Sequence, residues 1–481
     1  MKPRNLLVFL LVCTSSFLAL GLLFPEGIPL GGWKISFYKV PTIGTESTGA
    51  IKPELNRKKL EQLQKQAEIL AASDADSTQN GFAGDESIPA DSFSVSGPDF
   101  HIDSASALQY PAGDSTILDP FFSRLDSAKL KGELIRILHI GDSQIEGDRI
   151  SGYLRQRLQQ RYGGCGPGLI PLAEEIPSRL YLKMSGLENT RKFQLLGTGP
   201  RGAHSQYSLM HTYLRLRPDS GETGFCRKSF SFRLNGVGYK RINSFDRATL
   251  IFRNSKEPLS VETGGEKRGF AASDSLRFSK WNFKSPGRQL NLSVSTGIQS
   301  DLYGICLDCR SGVALDNIPL RGSSGLELLK IKPAFLQEQI RRLNTGLVIL
   351  QFGVNVVPYE AASYGWYENN LVKIIQLIKR SSPGLQVLVI GVSDMARKKD
   401  GEWGSFETIP RVIEAQKRAC ARTNSAFWDM QQVMGGKNAI LAWSKTNPPL
   451  AGKDMIHLTP KGAQVVGEFL FRALKHEIRK S

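Results

Sequence analysis

Apolar and polar positions change their period several times along this chain, and each change marks an element. "LIRILHI" (134–140) is a short β-rich apolar run, and "DRISGYLRQRLQQRYG" (148–163) behind it repeats apolar residues at helical spacing. The alternation resumes downstream: "GLELLKIKPAFLQEQIRRL" reads as helix, "TGLVILQFG" as strand, "YENNLVKIIQLIKRSSPG" as helix, "LQVLVIGVS" as strand, "SFETIPRVIEAQKRACARTN" as helix, "SAFWDM" as strand and "TPKGAQVVGEFLFRALKHEI" as a last helix. Short apolar strands separated by amphipathic helices predict a parallel sheet covered on both faces.

The middle of the chain follows another rule. Between about 180 and 310, segments such as "FSFRLNGVGY", "RATLIFRNS", "RFSKWNFKS" and "QLNLSVSTG" alternate at period two and are separated by Gly, Asn, Ser and Pro. That pattern predicts an antiparallel sandwich, inserted into the α/β domain. Ahead of the first strand, residues 115–133 predict a helix capped by Asp119, with Pro120 in its first turn. Leu60, Leu63, Ala67 and Leu70 give residues 53–72 an amphipathic helical pattern, and the Ser-, Asp-, Gly- and Pro-rich stretch 73–100 reads as a flexible spacer.

Composition alters this picture at the amino terminus. Lys2 and Arg4 precede a run from Asn5 to Phe24 without a charged side chain, about the ~20 residues that cross a bilayer as a helix. The expectation is an amino-terminal transmembrane helix, with the bulk of the chain across the membrane from the basic end; a cleaved signal peptide ending near Ala19-Leu20-Gly21 is the alternative. The 62 Lys and Arg against 45 Asp and Glu give a formal charge of +17, which suits an acidic polymer or an anionic membrane face. No zinc-finger or RNA-recognition pattern supports nucleic acid. Six cysteines, one inside the apolar run, do not make a disulfide framework, and Cys306-Leu307-Asp308-Cys309 is a lone C-x-x-C that reads as a local disulfide or two inert thiols.

Candidate chemistry gathers at strand ends. Gly141-Asp142-Ser143 closes the first strand just before a helix, the setting of a nucleophile turn and equally of a helix cap. Asp454 and His457 precede the last helix three positions apart, a spacing that lets a carboxylate orient an imidazole. Asn355 and Gly353 follow the "LVILQ" strand, where an amide can meet a developing oxyanion, and "LDNIPLRGSSG" supplies Gly322, whose N–H can approach a substrate closely.

In this order the four blocks resemble the SGNH (GDSL-type) hydrolase family, over about residues 115–180 and 310–478. The segments "ILHIGDSQIEGDRISGYLRQRLQQRYGGCGPGL" and "AGKDMIHLTPKGAQVVGEFLFRAL" are similar to bacterial envelope members related to peptidoglycan O-acetylesterases, which carry a carbohydrate-binding-like β module between the first two blocks. The resemblance implies a flavodoxin-like, three-layer α/β fold. Residues 1–24 would be the anchor or signal, 25–110 the juxtamembrane segment and spacer, 111–180 and 311–481 the two parts of the hydrolase domain, and 181–310 the inserted sandwich. It further implies Ser143 as nucleophile, His457 as base, Asp454 as its orienting carboxylate, and the Ser143 and Gly322 N–H groups with the Asn355 side chain as oxyanion donors, Gly325 being the alternative to Gly322. Neither metal nor organic cofactor is expected. The implied activity is carbohydrate O-acetyl ester hydrolysis in the bacterial envelope, anchored to the inner membrane and facing the periplasm, or secreted if the leader is cut. Transfer of the acetyl group to a sugar beside a neighbouring membrane acyltransferase, and noncatalytic glycan binding, are the competing readings.

Overall fold

The computed structural model describes residues 28–30, 33–35 and 106–478, except 173–178, 189, 217–224 and 298–299. The expected membrane helix, the amphipathic helix at 53–72 and the spacer lie outside the described residues. Near the amino terminus, Ile28–Leu30 and Trp33–Ile35 pair as a short antiparallel ladder. Among the described residues no helix is long and apolar enough to cross a membrane.

From residue 106 onward, a five-stranded parallel sheet organises the chain. Its strands are β1 (Leu134–Gly141), β2 (Gly312–Pro319), β3 (Thr345–Gln351), β4 (Gln386–Ile390) and β5 (Ala426–Trp428), in the order 2-1-3-4-5 and all parallel. The main helices are α1 (Asp119–Lys131), α2 (Arg149–Tyr162), α3 (Pro333–Arg342), α4 (Gly365–Lys379), α5 (Ile409–Thr423) and α6 (Pro460–Ile478). The strands read as nearly continuous apolar runs because they are buried on both faces, and the pleat divides them. Ile135, Ile137, Leu347 and Ile349 pack with α1, α2 and α6. Leu138, Ile140, Val348 and Leu350 pack with α3, α4 and α5. The order reverses between β1 and β3, and crevices at such a switch point, beyond the carboxyl ends of the strands, are where open α/β sheets bind ligands.

The insertion is two antiparallel sheets. One has five strands, and the other is six-stranded and built round Phe245–Asn254 and Ser300–Asp308. Phe230, Phe232, Leu250, Phe252, Trp281, Leu292 and Ile305 fill the layer between them. The outer face of the six-stranded sheet rests on the α/β domain, with Tyr303 4.9 Å from Phe335 of α3 and Ile251 in the same core. This sheet also takes in Gly168–Ile170, paired with Ile305, Cys306 and Leu307, so sandwich pairing begins ahead of residue 181. A three-residue strand is too short to show period two.

Two local expectations need correction. Cys309 forms no bond with Cys306; it is disulfide-bonded to Cys165, 144 residues earlier, across the base of the insertion, while Cys226, Cys306 and Cys420 are free and buried. Asp119 is the first residue of α1 and does not cap it: the cap position is Leu118, and the capping carboxylate is Asp114, which accepts from Thr116 N at the turn before.

Buried charge ties the two parts together. Arg136 on β1 is paired with Asp308 of the insertion and Asp316 of β2, and Asp316 Oδ1 also accepts from Leu169 N at 2.8 Å. Such a bridge is costly to desolvate, and removing one partner would leave a buried charge uncompensated.

Candidate active site

Residues enter the site where β1 stops. A Cβ on Gly141 would lie 2.7 Å from the Gln351 carbonyl oxygen of β3, so only glycine lets the two strand ends approach this closely. Asp142 N donates to that carbonyl at 3.0 Å, and the Asp142 side chain accepts from Gln144 N at 3.0 Å and Val354 N at 3.4 Å. Burial pushes its carboxyl up to about 7, against the backbone N–H groups that favour the ionised form. Asp142 is thus the cap of the short 3₁₀ turn Ser143–Asp148. The cap and nucleophile readings of Gly-Asp-Ser are compatible, since neighbouring residues fill the two positions.

Ser143 opens that turn. Its Oγ is 2.8 Å from His457 Nε2, and His457 Nδ1 is 2.6 Å from Asp454 Oδ2. Asp454 Oδ1 accepts the backbone N–H groups of Ile456 and His457 at 3.1 and 3.0 Å. Burial raises the Asp454 carboxyl, but the bonds from His457 and these two amides outweigh it and leave its pKa below the usual carboxylate range. An ionised Asp454 fixes the Nδ1–H tautomer, which leaves Nε2 free to accept a proton from Ser143. The loop turns this tightly because Met455, at φ 55°, takes a left-handed conformation rare for a residue with a side chain.

Three supports hold this loop. Arg149 Nη1 donates to Leu458 O at 3.0 Å, Ala396 N donates to Met455 O at 2.8 Å, and Gln144 Nε2 donates to Ile456 O at 2.7 Å and to Ser393 Oγ at 3.1 Å. Gln144, next to Ser143, is thereby fastened to Ile456, next to His457. Its adjacency to Ser143 was visible in the sequence, but its reach to position 456 was not.

Asn355 lies at the carboxyl end of β3, exposed, with its amide Nδ2 donating to Ser323 O at 2.9 Å. That contact brings it to the loop carrying Gly322, whose φ is 75° and whose Cβ position is open. Leu320 N donates to Gly141 O at 2.7 Å, which keeps the same loop against the end of β1. Gly325 faces the ring of Phe352, where a Cβ would come within 2.9 Å, so it packs inward while Gly322 borders open space. Ser143, Asp454 and His457 therefore form one bonded chain, and Asn355 and the Gly322 loop form a bonded pair next to the end of β1. Among the described residues no group of three His, Cys, Asp or Glu could hold a metal ion.

Residues 300–465 match the model of the GDSL-like lipase/acylhydrolase family, a span holding Gly322, Asn355, Asp454 and His457. A solved structure described as a peptidoglycan O-acetylesterase in action is 21% identical, covers 78% of this chain and 99% of its own, and superposes with a TM-score of 0.62. A family two carbohydrate esterase from Cellvibrio japonicus (8% identical, 62% of this chain, 98% of that one) and an acetyl xylan esterase (18% identical, 34% and 81%) superpose with TM-scores of 0.25 and 0.27. No curated protein sequence matches the chain. The parallel sheet and the match of residues 300–465 to the GDSL-like acylhydrolase family mark an SGNH-type hydrolase domain, with carboxylic ester hydrolysis as its activity.

Proposed function

We propose that this protein removes O-acetyl groups from a polysaccharide of the cell envelope, peptidoglycan being the foremost candidate, through an acetyl-serine intermediate on Ser143. The observation that carries this reading is the unbroken chain from Asp454 through His457 to Ser143 at the end of β1. His457 Nε2 takes the Ser143 proton as Oγ attacks the ester carbonyl, then returns it to the departing sugar oxygen; water, activated in the same way, discharges the acetyl group. The oxyanion is held by the N–H groups of Ser143 and Gly322 and by the second amide hydrogen of Asn355, whose first is engaged by Ser323.

Support for the substrate class comes from the likeness to the peptidoglycan O-acetylesterase and from aromatic rings on the loop before α4, in the first turn of α4 and on the hairpin of Ala396–Lys399 with Glu402–Ser405. Tyr359, Trp366 and Trp403 are exposed, and Arg397, on the Trp403 hairpin, is paired with Glu360 beside Tyr359. Exposed rings of this kind stack on sugar faces. The Cys165–Cys309 disulfide suits an oxidising compartment, which agrees with membrane anchoring or secretion through the leader.

Treatment with a fluorophosphonate probe followed by peptide mass spectrometry is expected to label Ser143, and the native protein is expected to release acetate from O-acetylated peptidoglycan. Labelling elsewhere would refute the nucleophile. Acetate appearing on an added chitooligosaccharide in place of water would reassign the enzyme as a transferase.

A further inference from the structure

The amino end of the parallel sheet carries a cavity of its own, one strand length from Ser143, or roughly 23 Å at ~3.3 Å per residue. It has a volume of about 260 Å³, lies among Leu134 at the start of β1, Asn344 before β3 and the six-stranded sheet, and adjoins a groove of about 560 Å³ through Phe278, Lys280 and Arg342. Six cationic side chains line the two hollows (Arg136, Arg247, Arg268, Lys280, Arg310 and Arg342) against two carboxylates, Glu133 and Asp308.

Several of these cations are balanced from behind. Arg136 is paired with Asp308 and Asp316, Arg268 with Glu266, Arg310 with Asp246 at 3.4 Å and Arg342 with Glu338 at 3.5 Å. Lys280 makes no ion pair among the described residues and is exposed. Arg136 and Asp308, 3% and 1% exposed, sit in the wall of the cavity and neutralise each other, so Lys280, Arg310 and Arg342, which reach solvent, set its charge. The adjoining groove adds aromatic faces: the Arg342 guanidinium sits 4.6 Å from the centre of the Phe278 ring, and Phe270 lies beside it. Guanidinium groups suit carboxylates, and flanking rings suit the C–H face of a sugar.

We propose that this basic hollow is a second, noncatalytic binding site for an acidic glycan, its carboxylate meeting the arginines and its sugar ring meeting Phe278. A polymer held there stays near the catalytic serine at raised effective concentration. The choice of a glycan as the anion rests on the polysaccharide reading of the active site, but binding here needs no turnover.

The test is calorimetric titration of the full chain with hexagalacturonate, with chitohexaose as the neutral sugar and inorganic phosphate at matched ionic strength as the plain anion. Hexagalacturonate is expected to bind in preference to both, at least tenfold more weakly in Lys280→Glu/Arg310→Glu and more weakly also in Phe278→Ala. Hydrolysis of p-nitrophenyl acetate by these variants is expected to match the native protein, which shows that they fold and that the catalytic centre is separate. Absence of hexagalacturonate binding, equal binding by the charge-reversed variant, or binding of phosphate in preference to the glycan would each overturn the proposal. Loss of ester hydrolysis in Ser143→Ala reports on the catalytic reading alone.

Discussion

Removing the link between Cys165 and Cys309 is the perturbation whose size follows most directly from the structure. The two cysteines are 144 residues apart. In the chain-entropy account, cross-linking that span removes from the unfolded ensemble freedom worth about 5 kcal/mol at 25 °C, and measured losses of native disulfides run about 2–5 kcal/mol. The folded state keeps other closures at the same place: Val313 N donates to Gly163 O at 3.0 Å, Cys309 N to Cys165 O at 3.3 Å, and Arg136 still joins Asp308 to Asp316. Cys165→Ser/Cys309→Ser should therefore fold with its active site intact and lose about 2–4 kcal/mol, because the bond acts mainly on the unfolded chain. Guanidinium unfolding followed by tryptophan fluorescence, with and without a phosphine reductant, measures this. The native protein plus reductant should approach the variant, and the variant should ignore the reductant. Esterase turnover at 25 °C should be unchanged, since Ser143 is at the other end of the sheet. Native and variant curves within about 0.5 kcal/mol of each other would refute the entropic argument, and a reductant effect on the variant would show that another group is responsible.

Other outcomes follow from the site. Asn355→Ala should lower kcat by about 10²–10³ with little change in folding, the usual loss on removing one oxyanion donor, and full activity in the folded variant would remove Asn355 from the oxyanion site. Asp454→Asn should cost about 10³–10⁴ in kcat by freeing the imidazole to take the wrong tautomer, as read by steady-state ester hydrolysis. Gln144→Ala should lower kcat more than it raises KM and weaken folding by about 1–3 kcal/mol, by leaving Ile456 O and Ser393 Oγ without their shared donor; recovery of kcat in a Gln144→Asn variant would separate hydrogen bonding from packing. Asp142 adds a pH dependence. Its folded pKa, about 7, stands above the unfolded value near 3.8, so its contribution is fully present below pH ~4 and is lost as pH rises through 7. Relative to Asp142→Asn, the native protein should lose stability progressively between about pH 4 and 7 and level off above that in chemical denaturation, and a gap that stays constant with pH would contradict the raised value.

Much of this architecture was legible because it depends on local periodicity. β1 and β3 are buried on both faces and spell that out as apolar runs, and α5, with Val412, Ile413, Ala415 and Ala419 inward, spells out its one-sided burial. The Ser143, Asp454 and His457 positions were legible for a different reason: each sits beside an element boundary, and boundaries carry turn residues. What stayed hidden depends on distance along the chain. Cys165 has no local pattern pointing to Cys309, and Gly168–Ile170 is too short to reveal the strand it pairs with. The Trp403 hairpin, Ala396–Lys399 with Glu402–Ser405, is mostly charged and polar and so gives no apolar alternation. The Gln144 contact crosses 312 residues, and a glutamine after a serine states no partner.

The sandwich leaves the α/β domain and returns to it through one doorway. A Cβ placed on Gly312 would fall 2.3 Å from the Gly163 carbonyl carbon, so the two backbones touch where the detour starts and ends. A bridge of one or two residues could join α2 to β2 and excise everything between, and the sandwich, with its own ends clasped by Cys165 and Cys309, could be transplanted in the same cut. The obstacle to such surgery is the seam: Ile251 and Tyr303 would be stripped from Phe335, and a bypassed hydrolase would need new polar residues on α3 before it could stay monomeric in water.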